Sequence, residues 1–279
     1  MKESLRSSKT STEGTLYCCA TPIGNLDDCS HRLLDILRSV DIIAAEDTRQ
    51  TQKLLTHFDI HTKLIRVDQH TEKQKAVQLI SELQSGKSVA LVSDAGTPNI
   101  CDPGAILVHA IHNKNITICP VPGPSAISAL LSVSGLNCNE FYFMGFFPRK
   151  PSALINKLQD NAGIPACFFE SGKRILKTLR WLQENVSIHQ ICVGKELTKV
   201  HETIWFDLEE VIGCLAEDER RQKGEWAVVI QLETSRFEPD LNWVSILKQK
   251  GLTLKQVVEV GNVFSAGRKN EIYKQFHES

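Results

Sequence analysis

Several features are missing from this chain, and each absence narrows what it can be. No apolar run reaches the length needed to cross a bilayer. The nine cysteines are an odd number, and none falls in a Cys-x-x-Cys spacing. Without paired ligands a zinc site is disfavoured, and His109 and His112 have no Cys or carboxylate companion in sequence. Cys18, Cys19, Cys119, Cys167 and Cys192 lie inside apolar stretches, so reduced, buried thiols in a cytosolic protein are expected. No G-x-G-x-x-G follows the first strand candidate, which argues against a dinucleotide-binding Rossmann domain. An excess of basic charge is also missing. The 32 Lys and Arg against 33 Asp and Glu leave a net charge of −1, which excludes a generic, charge-driven nucleic-acid binder. Residues 1–13 are rich in Ser, Thr and Lys with no apolar core, and are expected to be a disordered tail rather than a secretory signal.

What is present is a globular composition, 42% hydrophobic and 23% charged over 279 residues, enough for two compact domains. The most informative stretch runs Ser88-Val89-Ala90-Leu91-Val92-Ser93-Asp94-Ala95-Gly96-Thr97-Pro98, followed by Asp102-Pro103-Gly104. It begins as a buried strand, breaks into loop formers that cannot continue one, and leads into a helical pattern. Thr15–Ala20 ends similarly in Thr21-Pro22-Ile23-Gly24-Asn25, and Asn115–Cys119 in Pro120-Val121-Pro122-Gly123-Pro124-Ser125. One such loop is an ordinary strand-to-helix turn. Three together point to a ligand cleft along one sheet edge.

Strand and helix patterns alternate from Thr15 to about Glu140, the signature of a parallel sheet covered by helices. A Gly/Asn-rich link near 135–140 precedes a second series of strands and helices that reads as a mixed sheet. The expected organisation is an α/β protein with domains at 14–138 and 139–236 and a helical appendage at 237–279. In that appendage Gly251 and Gly267 join short helices. Arg268, Lys269 and Lys274 there can grip RNA, or the helices can serve packing and dimerisation. Local basic faces occur despite the net charge. Lys173, Lys177 and Arg180 fall on one face at helical spacing, with Arg174 beside them.

The motifs stand in a recognisable order: Ala20-Thr21-Pro22-Ile23-Gly24-Asn25-Leu26-Asp27-Asp28, Ala45-Glu46-Asp47-Thr48-Arg49-Gln50-Thr51, Ser93-Asp94-Ala95-Gly96-Thr97-Pro98, Val121-Pro122-Gly123-Pro124-Ser125-Ala126, Lys195-Glu196-Leu197-Thr198-Lys199 and Lys223-Gly224-Glu225. On these the chain resembles the tetrapyrrole-methylase (class III methyltransferase) superfamily. Within it, from Gly14 to Tyr273, it is similar to the small-subunit ribosomal RNA methyltransferase I family. Glu170-Ser171-Gly172-Lys173-Arg174 stands where that family usually has Glu-Ser-Pro-His-Arg. The resemblance implies two α/β domains with S-adenosylmethionine in the cleft between them. It implies 2′-O-methylation of a cytidine near the decoding centre of 16S rRNA in the small ribosomal subunit, by a cytoplasmic homodimer without a metal. Other readings are a porphyrin-precursor C-methyltransferase of the same superfamily and a non-catalytic ribosome-binding factor.

The resemblance also implies that the cofactor touches Pro22 and Gly24, the loop Asp94, Ala95, Gly96, Thr97 and Pro98, the turn Ser125 and Ala126, and Met144 and Gly145. Small residues there permit backbone contacts, and Asp94 can accept from an ammonium or ribose hydroxyl or cap its own turn. Methyl transfer to oxygen needs positioning and a proton acceptor. Glu46, Asp47 and Arg49, at a strand end, suit binding or base catalysis, while Asp47 or Thr48 equally suits a helix cap. Glu196 and Lys199, with Lys195, form either a polar site, in which lysines meet phosphate and Glu196 orients or accepts a proton, or a surface salt-bridge set. The general base remains unassigned among them.

Overall fold

The computed structural model describes residues 13–151, 154–234, 242–264 and 269–278. All but the last residue of the expected tail at 1–13, together with Gly267 and Arg268, lie outside them. The first sheet alternates strand and helix: β1 (Thr15–Cys19), α1 (His31–Ser39), β2 (Ile42–Ala45), α2 (Thr48–His57), β3 (Lys63–Arg66), α3 (Glu72–Gln84), β4 (Val89–Val92), α4 (Ala105–His112), β5 (Thr117–Val121) and α5 (Ala126–Val133). All its pairings are parallel, in the order β3-β2-β4-β1-β5. Every residue of β2 and β4 is buried, because helices cover both faces of the sheet. Leu33 and Leu37 of α1 and Leu54 and Leu55 of α2 pack on one face. Leu79 and Leu83 of α3 and Leu107 and Ile111 of α4 pack on the other. The sequence reading ends the fifth strand before Pro120, but the ladder continues to Val121. β5 is an edge strand, where proline's missing N–H leaves no ladder bond unmade.

The second sheet is built from β6 (Tyr142–Phe146), β7 (Ala166–Ser171), β8 (Ile188–Lys195), β9 (Thr203–Trp205) and β10 (Glu225–Leu232), with helices α6 (Leu154–Asp160), α7 (Ile175–Asn185) and α8 (Leu208–Glu217). Its order is β6-β7-β10-β8-β9, and only β6–β7 is parallel. One face packs Phe168, Val193 and Val228 against Leu179 and Leu182 of α7 and Val211 and Leu215 of α8. The other face receives α5. Ile127, Leu130 and Leu131 cover Cys167, Cys192 and Val229. Gly194 makes this approach possible, since a side chain there would lie 2.8 Å from Leu130.

Two expectations are corrected here. Arg174 does not join an exposed basic stripe. α7 begins only at Ile175, and Arg174 turns inward to the buried Glu170 at 3.2 Å and to the carbonyls of Phe147 and Pro148. Of the five cysteines expected to be buried, Cys18 and Cys119 are only partly so. Burial pushes the Cys19 and Cys167 thiols up to about 12. Gly172 stands where the chain touches the Gln222 carbonyl: a side chain would come within 2.2 Å of that oxygen.

The described residues up to Glu233 form one compact unit, and those after it form a second. The second holds α9 (Asn242–Gln249), α10 (Leu254–Phe264) and α11 (Lys269–Glu278) around Val244, Val257, Val258 and Ile272. No helix among the described residues is long and apolar enough to cross a membrane.

The N-terminus of α4 has no cap of its own, because Gly104 precedes it without a side chain. Glu72 of α3 supplies one from across the core. Its carboxylate, 3% exposed, accepts the Leu107 N–H at 2.9 Å. Glu72→Ala is expected to cost about 1–3 kcal/mol, the range for orphaning a buried N–H. Urea denaturation should show a lower midpoint with an unchanged slope; an unchanged midpoint would refute the capping role.

Candidate active site

The three Gly/Pro loops leave the carboxyl ends of β1, β4 and β5, the edge at which parallel sheets bind ligands. They are bonded to one another. The Thr21 N–H donates to the Gly96 carbonyl at 2.9 Å, and the Gly96 N–H returns to Thr21 at 3.0 Å. Gly96 is at φ +78°, a left-handed conformation that suits glycine. The Thr21 hydroxyl donates to the Ser93 carbonyl, and the Ser93 hydroxyl to Ala95 and Gly96, each at 3.3 Å. Thr97 reaches the Pro124 carbonyl of the third loop at 3.4 Å.

Two adjoining cavities open beside these loops. The larger, about 530 Å³, lies between them and the second sheet. Glu46, Asp94 and Asp102 line it together with Phe146, Phe169 and Trp226. The second, about 430 Å³, is bounded by Gly24, by Gln50, Thr51 and Lys53 of α2, and by Lys199. Ile23, Asp94, Ala95 and Glu225 belong to the walls of both.

The larger cavity is an anionic chamber. Burial, reinforced by Asp94 and Asp102, pushes the Glu46 carboxyl up to about 7. Burial likewise takes Asp102 to about 6, and it raises Asp94 even though Asp94 accepts the Asp47 N–H at 3.0 Å. Such a site favours a cationic ligand, whose charge would replace the missing water. Asp47 behaves differently. Hydrogen bonds from Arg49 hold it down to about 2 as it caps α2, and Arg49 folds back on it at 2.6 Å.

The segment after β8 forms the opposite wall. Glu196 and Thr198 both adopt left-handed backbones, at φ 49° and 66°, a strained arrangement for residues other than glycine. The Glu196 carboxylate accepts the Glu225 N–H at 2.8 Å, and Lys199 bridges Glu196 at 3.1 Å and Glu225 at 2.9 Å. Burial works against the Glu196 charge, yet the Glu225 N–H and Lys199 together hold its carboxyl below the usual range. Gly24 lets the Lys199 stem cross the first loop, since a side chain there would meet it at 2.4 Å.

The structure thus brings Glu46, Asp94, Ala95, Gly96, Thr97, Ser125 and Ala126 to the larger cavity, and Pro22, Gly24 and Lys199 to the second. Asp47, Arg49, Pro98, Met144, Gly145 and Glu196 line neither cavity. Met144 packs on the core of the second sheet, and Gly145, at φ +70°, lies against the Cys101 sulfur. Sequence reasoning missed Phe146, Phe169 and Trp226, whose apolar strand context reads as core, and Gln50 and Lys53 as site residues. Lys195 donates to the Arg221 carbonyl and sits over the Trp226 ring.

Residues 15–212 match the family described as Tetrapyrrole (Corrin/Porphyrin) Methylases. The chain is 42% identical over 268 residues to Ribosomal RNA small subunit methyltransferase I of Vibrio cholerae, covering 93% of each. It is 38% identical over 273 residues to the protein of that name from Escherichia coli O157:H7, covering 94% of each. Among solved structures, diphthine synthase superposes with a TM-score of 0.61 at 14% identity, over 78% of this chain and 89% of that one. The cobalt precorrin-4 methyltransferase CbiF superposes with a TM-score of 0.58 at 14% identity, over 82% and 98%. These two share the fold.

The carboxyl cluster makes a pH-dependent contribution to stability. Because the folded state raises Glu46 and Asp102, it binds more protons than the unfolded chain. Stability from this cluster is therefore lost as pH rises from the ordinary carboxylate range through about 7. Glu46→Gln is expected to raise the melting temperature by about 2 °C at pH 8, discounted for solvent screening, and to leave it nearly unchanged at pH 5. Scanning fluorimetry at both pH values checks this; an equal shift at both would contradict the repulsion.

Proposed function

Because the chain belongs to the ribosomal RNA small subunit methyltransferase I family of the tetrapyrrole methylases, we propose that it transfers a methyl group from S-adenosylmethionine to the 2′-oxygen of a cytidine in small-subunit ribosomal RNA, near the decoding centre. The observation that carries this reading is an acid-lined cavity that meets a polar, lysine-bearing one at Asp94 and Ala95. In the same reading the enzyme works in the cytoplasm as a homodimer and needs no metal.

The larger cavity fits the cofactor. Its size lies in the range of about 300–1,000 Å³ usual for small-molecule sites. Asp94 and Asp102 complement a sulfonium and an ammonium, and Phe146 and Phe169 offer apolar faces to a purine. Gly96, Thr97, Ser125 and Ala126 bring backbone close enough to orient it. When bound, S-adenosylmethionine supplies a methyl group on a sulfonium that departs as a neutral thioether once the methyl–oxygen bond forms. Glu46 takes the proton from the ribose hydroxyl. Its carboxyl, held at about 7, is matched to that task near neutral pH. Lys199 faces the RNA side, and Glu196 and Glu225 position it. Asp47 holds the start of α2, and Arg49 stands exposed at its rim.

The test is incubation with labelled S-adenosylmethionine and small subunits lacking the modification, followed by nuclease digestion and mass spectrometry. Label on a single cytidine ribose is expected, and Glu46→Gln should lower kcat about 10²–10⁴-fold. Label on a porphyrin-precursor carbon instead, or no label although cofactor binds, would overturn the reading.

A further inference from the structure

The second cavity carries signs of a ligand of its own. Thr51 is only 5% exposed, and its hydroxyl has no partner among the described residues. Buried hydroxyls are ordinarily paired, so the unpaired one that Thr51 brings to this cavity's lining points to a group that completes it. The Lys53 ammonium donates to the neutral Gln50 carboxamide at 2.8 Å, so this bond leaves its charge in place. Lys199, by contrast, is already held by two carboxylates.

The charges define what fits. Lys53 favours an anion, while Asp94 and Glu225 in the same lining repel one. The occupant is therefore anionic at one end and neutral, with hydroxyls that both donate and accept, at the other. A ribose joined to a phosphodiester has that layout. We infer that this cavity seats the ribose of the nucleotide receiving the methyl group, with its neighbouring phosphate on Lys53 and Gln50 and its sugar within reach of Thr51. The seat rests on the function proposed above. It places the ribose against Asp94 and Ala95, the wall shared with the larger cavity.

The experiment measures the Kd of unmethylated small subunits by filter binding, with S-adenosylhomocysteine present, across a salt series, alongside steady-state methylation. For Lys53→Gln the expected result is a roughly tenfold weaker Kd, a salt slope shallower by about 0.7–0.9 for one lost phosphate contact, and unchanged cofactor affinity. Lys53→Arg should restore most of the binding. Lys114→Gln, ahead of β5 at the far edge of the sheet, should change nothing. Thr51→Val should raise the KM for subunits about threefold or more without lowering the melting temperature, because it removes a hydroxyl that the free protein leaves unpaired. Unchanged Kd and salt slope in Lys53→Gln, or a Thr51→Val protein that melts earlier with normal KM, would overturn the seat. Lack of RNA methylation by the wild type, with Lys53-dependent binding intact, would overturn the proposed reaction and leave the seat standing.

Discussion

Two backbone hydrogen bonds between Thr21 and Gly96 hold the loop after β1 to the loop after β4, and both cavities depend on that junction. Ile23 follows Thr21 by two residues, and Asp94 and Ala95 immediately precede Gly96. The bridge thus fixes three of the four wall residues that the cavities share. Thr21, Ser93 and Thr97 add side-chain bonds that spend the local carbonyls inside the junction. What projects from it is a carboxylate with its backbone fixed. Preorganisation of this kind is what an in-line displacement requires, since most of its acceleration comes from holding the reacting atoms in place.

The net charge of −1 conceals a sharp local separation. Glu46 and Asp102 line only one chamber and Lys53 and Lys199 only the other, with Asp94 and Glu225 in the wall between them. An averaged charge describes behaviour at long range, and a cleft lined by one sign acts at short range. The chain therefore lacks the bulk electrostatics of a nucleic-acid binder, yet it places cations beside the chamber where a cationic ligand fits.

The first half was largely legible. β2 and β4 are buried on both sides, so they read as unbroken apolar runs, and the Gly/Pro exits of β1, β4 and β5 marked the cleft edge. Pro120 misled, because only the sheet order shows that β5 lies at an edge. Arg174 looked like surface charge, because the burial of Glu170 four residues earlier depends on packing. The site was legible where loops formed it and obscure where strands did. Phe146 and Phe169 are the residues a strand core uses, and their exposure to the cavity depends on which sheet face meets the loops. Lys53 sits in an ordinary helical pattern with no motif to mark it, and the unpaired Thr51 hydroxyl has no signature in sequence at all.

Nothing in Ala126–Val133 reveals which sheet the helix covers, and the answer has a mechanical consequence. With Ile127, Leu130 and Leu131 sunk into the second sheet, α5 belongs to the core of that sheet even though it directly follows β5 of the first. The chain therefore passes from the first sheet to a helix of the second at Pro122–Ser125, where Ser125 lines the larger cavity. Two prolines stiffen this short span on either side of Gly123. The short span that lines the cavity is thereby also the tether between a strand of one sheet and a helix embedded in the other.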